Sequence, residues 1–230
     1  MEFSFPATVT LEIVTLEIVT LENVTFETTV SRINGLFRMR LGETEFECRN
    51  LYGWKPLESP NPIPEIFLFD ESRKLKFATV QYRIPQVLLR THKEIPATLT
   101  LTFNSNVPQF DPAQPWQIRL EFENQLVERT MTELHFESDY RLLEKGFGTV
   151  LPLKNCLGCA YSDYSPYGGD SIGTMNCARV CKSEYLKTQS KDDVMDLWEK
   201  HIDDIEIVPE IYCCEEFVPR DSSKHIGYRG

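Results

Sequence analysis

The residues of this 230-residue chain best equipped for chemistry are its cysteines. Six of the seven fall between Cys156 and Cys214: the pair Cys156-Leu-Gly-Cys159, then Cys177 and Cys181, then the adjacent Cys213-Cys214. A two-residue gap lets both sulfurs of one tight turn face a single point, and four thiolates converging on a point satisfy tetrahedral zinc. The spacing is Cys156-x2-Cys159, seventeen residues, Cys177, then thirty-six residues to Cys214. Its first three members match the front of a four-cysteine zinc site, whose halves are ordinarily two close pairs. The second half leaves two arrangements open. Cys177 and Cys181 form a second pair by themselves, or Cys177 joins one sulfur of Cys213-Cys214. Neighbouring residues on a strand point to opposite faces, so only one of that last pair can ligate. Asp163, in Tyr161-Ser-Asp-Tyr164, is placed to orient the knuckle by hydrogen bonding.

Other chemistries fit less well. A thioredoxin-like redox pair wants its Cys-x2-Cys at a helix start after a parallel strand, whereas a glycine and a turn-rich loop follow here. A catalytic zinc wants a His-x-Glu or a histidine adjacent to a glutamate, and none accompanies the cysteines. The histidines, at 92, 135, 201 and 225, stand in no triad or metal spacing, and His135 reads as a sheet-surface residue. Tyr164-Ser-Pro-Tyr-Gly-Gly169 lacks the lysine and hydroxyl residue of a phosphate loop. The acids Asp192, Asp193, Asp196, Asp203 and Asp204 lack the alternation and central glycine of a calcium loop, and read as a solvated helix face. No catalytic residue is assigned.

Composition sets the surroundings. Clustered cysteines in a reducing compartment are metal ligands or redox groups more often than disulfides, and an odd total of seven suits a disulfide framework poorly. The start Met-Glu-Phe-Ser-Phe-Pro lacks the features of a signal peptide, so a cytoplasmic location is expected. No apolar run approaches the roughly 18 residues of a membrane span. The net charge of −11 gathers at residues 1–30, with five glutamates and no base, and at residues 190–221, with eleven acids against Lys191, Lys200 and Arg220. Acidic surfaces repel phosphate backbones, which argues against nucleic acid and leaves solubility or a basic protein partner.

The elements that must position the cysteines come in two kinds. Residues 1–23 read as an extension built on a pentad repeat: Val9-Thr-Leu-Glu-Ile13, Val14-Thr-Leu-Glu-Ile18, Val19-Thr-Leu-Glu-Asn23 and Val24-Thr-Phe-Glu-Thr28. Valine and threonine favour extended chain. A period of five moves the apolar residues to the other face with every copy, so only the last copy is expected to pair into a sheet. Residues 24–137 alternate as an antiparallel β domain, sheet or sandwich, with a hairpin at 36–48 and strands at 75–82, 98–103, 116–122 and 126–136.

Residues 138–221 read as a small α/β module stapled by zinc, followed by a mobile tail, 222–230. Its elements are a short helix from Asp139 capped by Ser138, a helix over Ser190–His201, and a last strand over Glu210–Val218. Ser190 and Asp193 resemble a capping box, and Val194, Leu197 and Trp198 make a core-facing stripe.

The pattern Cys-x2-Cys-x-Tyr-Ser-Asp-Tyr-x-Pro, then a lone cysteine, then Cys-x-Glu-Phe before an arginine is similar to that of an uncharacterised family of bacterial proteins. It lies at Cys156, Cys159, Tyr161 to Tyr164, Pro166, Cys177, Cys214, Glu216, Phe217 and Arg220, across the last ninety or so residues. The resemblance implies that Cys156, Cys159, Cys177 and Cys214 are the ligand set, with Cys181 and Cys213 outside it. It carries no activity across. The expectation is an α+β protein with a structural zinc, acting by interaction; an enzyme with an unrecognised site is the alternative.

Overall fold

A computed structural model describes residues 3–14, 21–51, 53–58, 61–76, 78–90, 93–104, 116–131, 136–146, 152–164 and 175–220. His92, His135, His225, Pro166, most of the 164–169 loop and the 222–230 tail lie outside them. The described chain is α+β, mostly antiparallel sheet with few helices. Its strands are β1 (Phe3–Val14), β2 (Leu21–Ile33), β3 (Leu36–Leu41), β4 (Thr44–Cys48), β5 (Lys55–Pro56), β6 (Ala78–Arg90), β7 (Lys93–Asn104), β8 (Trp116–Phe122), β9 (Gln125–Met131), β10 (Ser162–Asp163), β11 (Met175–Cys177) and β12 (Glu206–Val208). Nine form one sheet in the order β5-β4-β3-β2-β1-β6-β7-β8-β9, and β10-β11-β12 form a second. Among the described residues no helix is long and apolar enough to cross a membrane.

The repeat behaves differently from its expectation. Its first copy lies in β1, which pairs antiparallel with β2 on one side and β6 on the other. Within one copy the order Val-Thr-Leu-Glu is itself alternating, so Val9 and Leu11 point into the core. The first copy then meets the last across the hairpin, with Val9 opposite Phe26 and Leu11 opposite Val24. Reversal of chain direction between the copies absorbs the phase shift that a period of five would otherwise impose.

The chain divides into two compact units. The first takes Met1–Pro85, Thr98–Glu121 and Leu126–Leu134, and its interior is aromatic. Phe5 packs edge-on against Phe37 and Tyr82, with ring centroids 6.4 and 5.9 Å away, and Phe103 stacks on Trp116 at 5.2 Å. The fully buried Tyr82 hydroxyl is satisfied: Tyr82 Oη accepts from Trp54 Nε1 at 2.7 Å and donates to the Leu51 carbonyl.

The second unit takes Gln86–Ala97, Phe122–Gln125 and His135–Gly230, and contains six cysteines. Helix α1 (Phe136–Lys145) starts earlier than the sequence suggests, because Phe136, Tyr140 and Leu143 at i, i+4 and i+7 are all buried and belong to one helical face. After the short α2 (Lys182–Tyr185), α3 (Lys191–Lys200) begins at Ser190, whose side chain accepts from the Asp193 amide while the Asp193 carboxylate accepts from the Ser190 amide. That is the capping box read from the sequence. Val194, Leu197 and Trp198 of α3 pack with Ala178, Cys181 and Tyr185 into one apolar cluster, in which Tyr185 and Trp198 stack at 5.8 Å.

The expected strand over Glu210–Val218 is a chain of turns instead. Pro209 and Pro219 bracket it, and its carbonyls face the cysteine knuckle rather than a ladder: the Cys156 amide donates to Tyr212, Leu157 to Glu210 and Ala160 to Val218. β12, a few residues earlier, pairs with β11 in its place.

Candidate metal centre

The knuckle is a 3₁₀ turn over Cys156–Gly158. Asn155 caps it, its Oδ1 accepting from the Gly158 amide at 3.3 Å, and the Cys159 amide closes it onto the Cys156 carbonyl at 3.2 Å. Glycine is required at 158 by space: a Cβ there would lie 2.5 Å from the Leu153 carbonyl oxygen. Cys177 arrives by strand pairing. Ser162, just past the knuckle, sits opposite Cys177 in the β10–β11 register, and the Ala178 amide donates to the Tyr161 carbonyl. Cys214 begins a turn closed by the Phe217 amide, and the chain beyond it returns to the knuckle through a bridge between Cys159 and Pro219 and through the Arg220 amide on the Gly158 carbonyl.

These contacts make neighbours of Cys156, Cys159, Cys177 and Cys214. Burial pushes the Cys156 thiol well above its ordinary pKa, and Cys177, Cys159 and Cys214 push it further. Burial likewise raises Cys177 and Cys214, each of which also feels Cys159. Mutual repulsion of this kind is what a cation between thiolates would relieve.

Three of the four sulfurs also accept a backbone amide from two residues on: Cys159 from Tyr161 at 3.5 Å, Cys177 from Arg179 and Cys214 from Glu216. An amide N–H aimed at sulfur favours thiolate over thiol. Cys48 accepts the same bond from Asn50, but it lies in the first unit, apart from the six. Among the described residues no three or more His, Cys, Asp or Glu side chains stand together as a bound metal ion requires. The four thiols are thus gathered without being closed at ligand spacing.

The other two cysteines of the second unit face elsewhere. Cys181 is buried in the apolar cluster, where burial raises its thiol and Glu184 is the first charge it feels. The Cys213 thiol lies 3.9 Å from Gln86 Oε1 and accepts the Val87 amide; burial pushes it up to about 11.

Asp163 supports the site from one step away. Its Oδ2 accepts from Tyr185 Oη at 2.8 Å, a buried bond, and its Oδ1 from the Tyr164 amide at 2.9 Å, which is half-buried. Arg220 joins them: its side chain donates to the Ser162 carbonyl at 2.6 Å, to the Cys159 carbonyl at 3.3 Å and to Tyr185 Oη at 3.4 Å. Sequence reasoning placed Asp163 beside the knuckle and left Tyr185 and Arg220 without a role there. The remaining described histidine, His201, lies 3.4 Å from Glu184 and outside the cysteine group. A polar depression of about 210 Å³ lies on the sheet of the first unit, lined by Gln81, Thr102, Gln117, Arg119 and Glu128 among others.

Comparison of the sequence with known protein families, with curated proteins and with solved structures finds no match.

Proposed function

We propose that this is a non-enzymatic interaction protein whose second unit is held in shape by a structural zinc ion on Cys156, Cys159, Cys177 and Cys214. The observation that carries the reading is the gathering of four thiols from three separate segments, three of them receiving an amide from two residues on. The donor set fits the metal: all-sulfur ligation suits zinc, and four protein ligands leave no open position for a reacting water. The same four residues are the set implied by the bacterial-family pattern. Zinc, when bound, supplies charge neutralisation and a cross-link. The chain's own residues do the rest: Gly158 permits the tight turn, the backbone amides favour thiolates, and Arg220 ties Cys159 to the strand that follows it.

The surface such a unit presents is acidic. Asp192, Asp196 and Glu199 lie on exposed positions of α3 and form no ion pair among the described residues, whereas Lys182 is engaged by Glu216 and Lys200 by Glu184. Unpaired charge on a rigid helix suits a basic protein partner, steered electrostatically and weakened by salt. Asp193 belongs to the capping box, so its charge serves the helix end. The test compares proteins captured from the native cell by the wild-type chain and by Asp192→Asn/Asp196→Asn/Glu199→Gln. Loss of a basic protein from the variant bait is expected; equal recovery from both baits overturns the partner reading.

A further inference from the structure

Nothing in the regular secondary structure decides which of the adjacent Cys213 and Cys214 faces the other thiols, because the segment carrying them belongs to no strand. Backbone bonds from the Cys156 and Leu157 amides to the Tyr212 and Glu210 carbonyls fix the segment in part, and a pair of buried amide side chains adds to them. Gln86, 3% exposed, donates through Nε2 to the Ile211 carbonyl at 2.8 Å. Its Oε1 accepts from Asn155 Nδ2 at 2.9 Å and from the Cys213 thiol at 3.9 Å. Asn155, 1% exposed, meanwhile caps the turn that carries Cys156 and Cys159. One side chain thus ties the ligand-bearing knuckle to the segment that supplies the fourth sulfur, and does so at the residues just before Cys214.

We propose that Gln86 and Asn155 form a register lock that holds Cys213 aside and thereby selects Cys214 as the fourth ligand. The proposal rests on the four-cysteine reading above. A slip of one residue, bringing Cys213 onto the metal, would break the bond between Gln86 Nε2 and the Ile211 carbonyl in a buried site, where a lost hydrogen bond is costly. An apolar side chain of similar length at position 86 would fill the same space and leave both cysteines eligible. Gln86 is therefore a positioning residue, and its removal is expected to change which sulfur ligates as well as how tightly.

The experiment measures zinc per chain, and the cysteine that zinc protects from alkylation, in the wild type, Cys214→Ser, Gln86→Met and Gln86→Met/Cys214→Ser. In the wild type, Cys214 is protected and Cys213 is the more reactive. Cys214→Ser loses its zinc. Gln86→Met binds zinc more weakly, by about 10- to 100-fold as for other residues that orient ligands. The double variant regains zinc, with Cys213 now the protected residue. A double variant that stays empty while Gln86→Met keeps zinc on Cys214 overturns the lock. Absence of zinc from the wild type would instead overturn the metal reading itself. If Gln86→Met does not fold, Asn155→Ser takes its place: serine keeps a cap for the Gly158 amide but cannot reach Gln86, and the same outcomes decide.

Discussion

The two units bury different things. The first fills its interior with phenylalanine, tyrosine, tryptophan and aliphatic side chains, and its buried Tyr82 Oη is bonded to Trp54 and Leu51. The second buries Cys156, Cys159 and Cys177 together with Gln86, Asn155, Ser162, Asp163 and Glu210, beside apolar side chains such as Leu88, Phe136, Leu143 and Met175 and a cluster around Tyr185 and Trp198. Apolar burial stabilises by roughly 25 cal/mol per Å² whatever else is present. Buried thiols and amides give little net stability unless their partners are in place. On the proposed zinc reading, the first unit carries its stability in its own side chains, while that of the second would depend in part on the ion its sulfurs hold.

The largest effect that separates the two is metal removal. A strong chelator is expected to unfold the second unit, since structural zinc contributes on the order of 10 kcal/mol to modules of this kind. Hydrogen exchange read by peptide checks it: protection should vanish across residues 152–164 and 175–214 and persist across β1 to β4. Equal loss in both units would erase the distinction. The converse test is Phe5→Ala, which removes a buried ring from the first unit and should cost about 3–5 kcal/mol there. Zinc content of the folded fraction should be unchanged, as measured by elemental analysis.

Gly158→Ala sharpens the comparison within the second unit. The added methyl meets the Leu153 carbonyl, so the knuckle must open, at about 1–3 kcal/mol by analogy with overpacked cores. Zinc affinity should fall with it. Ser190→Ala removes the cap of α3 and should cost about 1 kcal/mol in denaturant titration, with zinc affinity untouched. A large loss of zinc in that variant would show that the helix and the sulfur site are one cooperative element.

How much of this was legible beforehand follows the same division. In the first unit, strict alternation marks β8 at Trp116–Phe122 to the residue, and Leu36–Cys48 reads correctly as a hairpin. β1 was obscured because the repeat's period disguises a local alternation that only its hairpin partner makes consistent. In the second unit, local signals succeeded where they were chemical, as with the Ser190–Asp193 box and the Val194, Leu197, Trp198 stripe.

Phe136 was read as the end of a strand because an apolar residue at a strand–helix junction satisfies both periods. Glu210–Val218 carries strand-like residues, but its carbonyls are claimed by a knuckle more than fifty residues earlier. Gln86 and Asn155 had no local signature at all. Their role arises from a contact across 69 residues, which spacing rules do not see.

The four-cysteine zinc site is decided by the metal the chain carries. Elemental analysis of the chain purified under reducing conditions should give about one zinc per molecule, as a closed four-cysteine site requires. Cys213→Ser should keep that zinc and Cys214→Ser should lose it. A wild-type chain with far less than one metal per molecule, or a metal that survives Cys214→Ser and departs with Cys213→Ser, would rule out zinc on these four cysteines.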